Sequence, residues 1–195
     1  YYADTAWNMN SDFSGYTKTA DPLSGVTLGS LGVLQMANSS GGALASRSFK
    51  SEGCIEVGSF RRATARVLLG TVIAGMGFHL GIDGVGGNEL TAVVFAPATS
   101  PNWLIRNAAT FLTVDTGVVV AANTFYTLDL VHDGASGWTV SIDGAAAVAA
   151  NPAGVPGLTT PVTFAWDVLT PAAGANRFVY VDFVYFRAVS AGRVV

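Results

Sequence analysis

The sequence predicts an all-β fold, an antiparallel sandwich of two sheets in one domain spanning residues 1–195. Three observations carry that prediction. Apolar residues at helical spacing do not persist anywhere, short runs of alternating apolar and polar residues recur instead, and Gly (23 residues), Thr and Val punctuate them. Alternation with a period of two places every second side chain on one face, the pattern of antiparallel sheets with one face on the core and one toward water. Asp-Gly pairs at Asp83-Gly84, Asp133-Gly134 and Asp143-Gly144 supply the positive backbone angles that tight hairpins require.

Taken in order, the candidate strands are ten. The first two, 26–36 and 43–49, are set off by the loop-like stretches 20–25 and 38–42. The third, 54–69, contains Cys54, the only cysteine, which excludes an internal disulfide and reads as a small buried apolar residue. In the fourth, 72–82, Val72, Ala74, Met76, Phe78, Leu80 and Ile82 share one face. The other face carries Ile73, Gly75, Gly77, His79, Gly81 and Asp83, nearly bare, and glycines on a strand face mark close approach by a ligand, a loop or another chain. The fifth and sixth, 90–96 and 103–114, flank the loop 97–102. In the seventh, 125–132, Tyr126, Leu128 and Leu130 oppose Thr127 and Asp129. In the eighth, 138–142, Trp138, Val140 and Ile142 oppose Thr139, Ser141 and the following Asp143, so the two read as a hairpin with His132 as an ordinary turn residue. The loop 151–161 precedes the ninth strand, 162–168. In the last, 178–188, simple alternation puts Phe178, Tyr180, Asp182, Val184 and Phe186 on one face, and Val179, Val181, Phe183 and Tyr185 on the other. Both faces are apolar, so Asp182 is expected to be buried and to need a cation, an Arg or several donors.

Composition narrows the function. Apolar residues make up 50% and charged residues 12%, yet no run of eighteen apolar residues exists to form a membrane span. A chain so poor in charge exposes apolar surface unless other subunits cover it, so a homo-oligomer is expected. The net charge of -3, with Arg61, Arg62 and Arg66 as the only cluster of cations, gives no footprint for nucleic acid. No charged segment followed by an apolar stretch opens the chain, so Tyr1 is read as a processed or internal start.

Three phrases in order, FYTLDLVHDG (125–134), WTVSIDGAAAV (138–148) and RFVYVDFVYFR (177–187), resemble the C-terminal half of concanavalin A-like lectin/glucanase domains. EGCIEVGSFRRATARVLLG (52–70) is similar to a strand pair near their start. The resemblance implies a jelly-roll sandwich. It also implies that Asp182 stands where glucanase-like relatives use a last-strand Asp to help bind a structural Ca²⁺, an ion that favours oxygen ligands. Hydrogen bonds from an Arg or from backbone amides are the alternative for Asp182. Laminarinase-type members carry an E-x-D-x-x-E strand that sets a nucleophile and an acid on one face, and no such triplet occurs here. Alginate lyase-type members carry R-x-E-x-R, whereas Arg62-Ala63-Thr64-Ala65-Arg66 has Thr in place of Glu. A nucleophile elbow is also missing, so an enzyme is not expected.

The candidate ligand-binding residues are Arg62, Arg66, His79 and Trp103; the candidate metal residue is Asp182. If a neighbouring strand sets Arg62, Thr64 and Arg66 beside His79, the glycine face becomes a shallow polar groove suited to sugar hydroxyls; its alternative is a face covered by a loop or a subunit. Trp103, after the 97–102 loop, is the better platform for stacking on a sugar, while Trp138 and Trp166 point inward. The first functional reading is a non-enzymatic lectin-like module of a virion, as tail fibre or capsid decoration, or of an extracellular surface. Its partners would be a glycan or cell-surface polysaccharide and other virion or surface proteins, without nucleic acid or membrane. The second is a structural virion protein without a glycan site. The third is a polysaccharide-degrading enzyme with a displaced active site.

Overall fold

The computed structural model describes residues 17–19, 33–37, 45–50, 55–70, 77–84, 89–107, 112–149, 157–170 and 178–189. These form fourteen strands: β1 Thr17–Thr19, β2 Val33–Ala37, β3 Ala45–Lys50, β4 Ile55–Glu56, β5 Phe60–Leu69, β6 Gly77–Gly84, β7 Glu89–Phe95, β8 Asn102–Asn107, β9 Leu112–Val119, β10 Phe125–His132, β11 Trp138–Ile142, β12 Val148–Ala149, β13 Pro161–Thr170 and β14 Phe178–Ala188. No α-helix occurs among the described residues. Cys54 lies outside them, as do Ile73 and Gly75 of the glycine face.

The first sheet runs β1-β2-β14-β5-β10-β11-β12, and the second runs β3-β13-β6-β7-β8-β9 with β4 added on β13. Every pairing is antiparallel. Alternate residues of both sheets meet in one core: Ala63, Ala65, Val67, Leu128, Leu130 and Val140 from the first sheet, and Phe78, Leu80, Ile82, Val93, Trp103 and Ile105 from the second. Burying the Val, Leu, Ile and Phe side chains among these contributes roughly 1.5–3 kcal/mol each, and the alanines less, which is what holds the two sheets face to face.

The β10–β11 hairpin forms as its alternation predicts, with His132 opposite Trp138 and Leu128 opposite Ile142. Its loop is tied by Asp133, whose Oδ1 accepts hydrogen bonds from the amides of Ala135 (2.6 Å) and Gly137 (3.1 Å), while Gly134 takes φ 87°. Those amide bonds hold the Asp133 carboxyl below its ordinary pKa. Asp143 and Gly144 turn at φ 51° and 73°, closed by the amide of Ala145 on the carbonyl of Ile142 at 2.9 Å.

Several expectations need correction. Asp83-Gly84 is not a turn but the end of β6, where Asp83 is buried and pairs with Thr163 and, past a bulge, with Glu89. The 54–69 run breaks at a 3₁₀ turn, Val57–Ser59, because β4 joins the second sheet and β5 the first; the amides of Val57 and Gly58 bond the carbonyls of Thr160 and Leu158 at this crossing. The 103–114 run is two strands, with Asn107 opposite Leu112; it holds no Gly or Pro to mark the reversal. His132 is no turn residue. It ends β10 facing inward, only 1% exposed, stacked on Trp138 with ring centroids 4.3 Å apart, and burial holds its imidazole below its ordinary pKa.

The last strand departs from simple alternation for a physical reason. A bulge falls between Val181, opposite Val67, and Phe183, opposite Arg66, so Asp182 has no partner on β5 and the two-residue period slips by one. Val179 and Val181 therefore face the core before the slip, and Val184 and Phe186 pack against it afterwards. Phe183 is turned outward and is 39% exposed.

Candidate functional site

The bulge gives the first sheet an outer face with ordered chemistry. Three rows cross it at right angles to the strands. One row runs Phe183, Arg66, Thr127; the next Tyr185, Thr64, Asp129, Ser141; the third Arg187, Arg62, Val131, Thr139. Each row alternates with core residues along every strand, so these side chains stand outside because their neighbours are inside.

Two ion pairs fix the face. Arg62 binds Asp129 through two parallel bonds, Nε to Oδ1 at 2.6 Å and Nη2 to Oδ2 at 2.8 Å, and the Thr64 hydroxyl donates to the same Oδ1 at 2.8 Å. The hydrogen bond to Asp129 holds the Arg62 pKa above its ordinary value. Forked Arg–carboxylate pairing of this kind sets orientation as well as charge. Arg66 donates from Nη1 to Asp182 Oδ2 at 2.7 Å while its guanidinium lies 4.3 Å over the centre of the Phe125 ring. Phe125 packs in turn on Leu68 and Tyr180. The result is a sheet surface with fixed guanidinium and carboxylate groups, hydroxyls on Thr64, Thr127, Ser141 and Tyr185, and an exposed aromatic ring.

The sequence-predicted site residues do not come together. Arg62, Thr64 and Arg66 share one face as expected, but β5 and β6 belong to opposite sheets, so the composite groove with His79 does not exist. His79 stands on the outer face of the second sheet, 4% exposed, with Nε2 3.4 Å from Asp83 Oδ1; beside it Ala92, Val94 and Leu104 are buried as a small apolar cluster. That face is covered rather than open. At Gly81 the close approach comes from the adjacent strand itself: a Cβ there would collide with the Thr91 carbonyl. Trp103 is no platform either. It is fully buried, with its ring edge-on to Phe78, Phe95 and Tyr126 at 6.1, 5.9 and 5.7 Å. Asp129, Phe183, Tyr185 and Arg187 complete the face and were not singled out. The outward parity of Asp129 is legible, whereas its place beside Thr64 depends on which strand lies next to β5.

Asp182 is not buried. The Arg66 and Asp182 side chains are 38% and 26% exposed. Arg66 supplies the partner this carboxylate needs, its guanidinium at bonding distance, and no group of three His, Cys, Asp or Glu side chains that could hold a metal exists among the described residues. Breaking a buried pair would cost about 3–5 kcal/mol, but exposure and screening reduce this one to about 1 kcal/mol or less. Asp182→Asn should therefore lower the melting temperature by no more than about 2–4 °C, and EDTA should not move the wild-type melting curve. A drop several times larger, or a shift with chelator, would show that a buried charge or a metal holds this strand.

No protein-family model matches the chain, and no curated protein sequence does. Solved structures do. One, reported for endo-acting O-glycanases that prominent members of the human gut microbiota express to initiate mucin breakdown, superposes with a TM-score of 0.61 at 10% identity, covering 82% of this chain and 80% of that one. Lectin II from Ulex europaeus gives 0.56 at 13% identity over 81% and 87% of the two chains. A β-1,3-glucanase from Mycobacterium marinum gives 0.53 at 15% over 80% and 73%. At such identities the likeness is one of fold: the chain has the two-sheet antiparallel jelly-roll sandwich, an architecture found in lectins and glycoside hydrolases alike.

Proposed function

We propose that this chain is a non-enzymatic glycan-binding module that binds sugar on the outer face of its first sheet. The observation that carries the reading is the exposed Phe183 ring beside the Arg62–Asp129–Thr64 network: a flat apolar surface for one face of a sugar, and oriented donors and acceptors for its hydroxyls. The absence of the glucanase and alginate lyase motifs supports a binding role. So does the state of the carboxyls. A glycosidase acid needs a carboxyl held above its ordinary pKa, whereas among the described residues the clearly displaced carboxyls, Asp115 and Asp133, are held below it by hydrogen bonds, backbone amides foremost. Asp129 and Asp182 are each engaged by an arginine.

The module is proposed to work on a virion or an extracellular surface as one of several like subunits. Support comes from composition, with 50% apolar and 12% charged residues, and from exposed Val119 and Leu158.

A glycan array with the isolated chain tests the binding reading. Phe183→Ala should weaken binding of the best ligand about tenfold, equivalent to 1.4 kcal/mol, and leave the melting temperature nearly unchanged because the ring contributes little to the core. Arg62→Ala should act the same way. Failure of the array to retain any glycan, or full binding by Phe183→Ala, would defeat the proposal.

A further inference from the structure

The carboxylates of this face are engaged away from Arg187: Asp129 is bound to Arg62, Asp182 to Arg66, and Asp143, at the far end of the Phe183–Arg66–Thr127 row, accepts from the Thr127 amide at 2.6 Å. Arg187 is the remainder. It is exposed, and no carboxylate among the described residues pairs with it. It is also the register partner of Arg62 on the adjacent strand, an arrangement of like charges that is unfavourable unless an anion lies between them. The rest of that row, Val131 and Thr139, offers no counter-charge. Asp129 occupies Nε and Nη2 of Arg62, which leaves its Nη1 edge for another acceptor.

We propose that the glycan is acidic, and that Arg187 together with Arg62 takes its carboxylate or sulfate. The inference rests on the glycan-binding reading and deepens it by naming the ligand class. Two guanidinium groups side by side present planar N–H forks, which fit the paired oxygens of a carboxylate or sulfate better than they fit a neutral hydroxyl. Tyr185 and Phe183 lie two and four residues before Arg187 on β14, so a sugar ring over the aromatic groups carries its anionic substituent toward the arginine pair. Arg66 lies four residues along β5 from Arg62, about 13 Å away, and gives a second cationic position for a later unit of the same polymer.

Calorimetric titration of the intact chain with polygalacturonate, chondroitin sulfate and neutral dextran tests the inference. Polygalacturonate or chondroitin sulfate should bind more tightly than dextran, which of the two binds better separates carboxylate from sulfate, and the affinity should fall between roughly 0.05 M and roughly 0.5 M salt. Arg187→Gln should weaken acidic binding roughly tenfold with the melting temperature unchanged, and Arg187→Lys should recover only part of the loss. Equal binding of acidic and neutral polymers, or full acidic binding by Arg187→Gln, overturns the acidic inference and leaves the glycan-binding reading standing. If no glycan of either kind binds here or on the array, both fall together.

Discussion

Trp103→Ala should lower the stability of the domain by about 3–5 kcal/mol, the usual cost of removing a large aromatic side chain from a core that cannot collapse around the gap. The ring is fully buried at the second sheet's inner face and is surrounded edge-on by Phe78, Phe95 and Tyr126, so its removal strips three aromatic contacts at once. Tyr126 is itself fixed at the opposite sheet, donating its hydroxyl to the Val119 carbonyl at 3.0 Å and accepting from the Ala121 amide at 2.8 Å. It cannot swing into the cavity without losing both bonds. Trp103→Phe is the control: it keeps most of the volume and removes an indole N–H that has no acceptor among the described residues, so it should cost less than about 1.5 kcal/mol. Denaturant melts read both variants. A Trp103→Ala protein that melts like the wild type but loses glycan would instead make this ring a surface platform.

Trp103 also shows which part of the fold was legible. Its strand could be seen from composition, but its direction could not, because a tryptophan just after a polar loop fits either face. What decides is the pairing of Trp103 with Phe95, whose own side chain is buried in the core. His132 was legible and overlooked: it shares parity with Tyr126, Leu128 and Leu130, and only its place beside Asp133-Gly134 suggested a turn. The outward set Arg62, Thr64, Arg66 follows from a period of two and holds. Their neighbours do not follow from the sequence. Consecutive strands pair or adjoin in most sheets, yet β5 lies between β10 and β14 while β6 lies between β13 and β7 in the other sheet. The bulge at Asp182 is the other hidden element, since one unpaired residue exchanges every later side chain between core and surface.

Gly81→Ala should destabilise the domain by about 3 kcal/mol or more, at the upper end of what overpacking costs. Glycines on the β6 face invite the reading that a ligand approaches there, but at Gly81 the approaching group is the neighbouring backbone. A Cβ would collide with the Thr91 carbonyl and lie 2.7 Å from Ala92 Cα and 2.9 Å from Ala92 Cβ. These are main-chain atoms of β7 and a methyl group rooted on them, so no flexible side chain can yield. Neither strand can move alone. β6 is hydrogen-bonded to β13 on its other edge and β7 to β8 on its own, so relief requires opening a ladder in the middle of the sheet. Gly157→Ala provides the comparison, because among the described residues its Cβ would meet only Thr160 Oγ1 at 3.6 Å, an ordinary contact in an exposed turn; that change should stay within about 0.5 kcal/mol of the wild type. Thermal melts of the two alanine variants separate the explanations. A large loss at Gly81 alone means the glycine is required by strand spacing. If Gly81→Ala is as stable as Gly157→Ala and instead loses glycan binding, the bare face of β6 is a ligand groove after all, and the binding surface belongs on the second sheet.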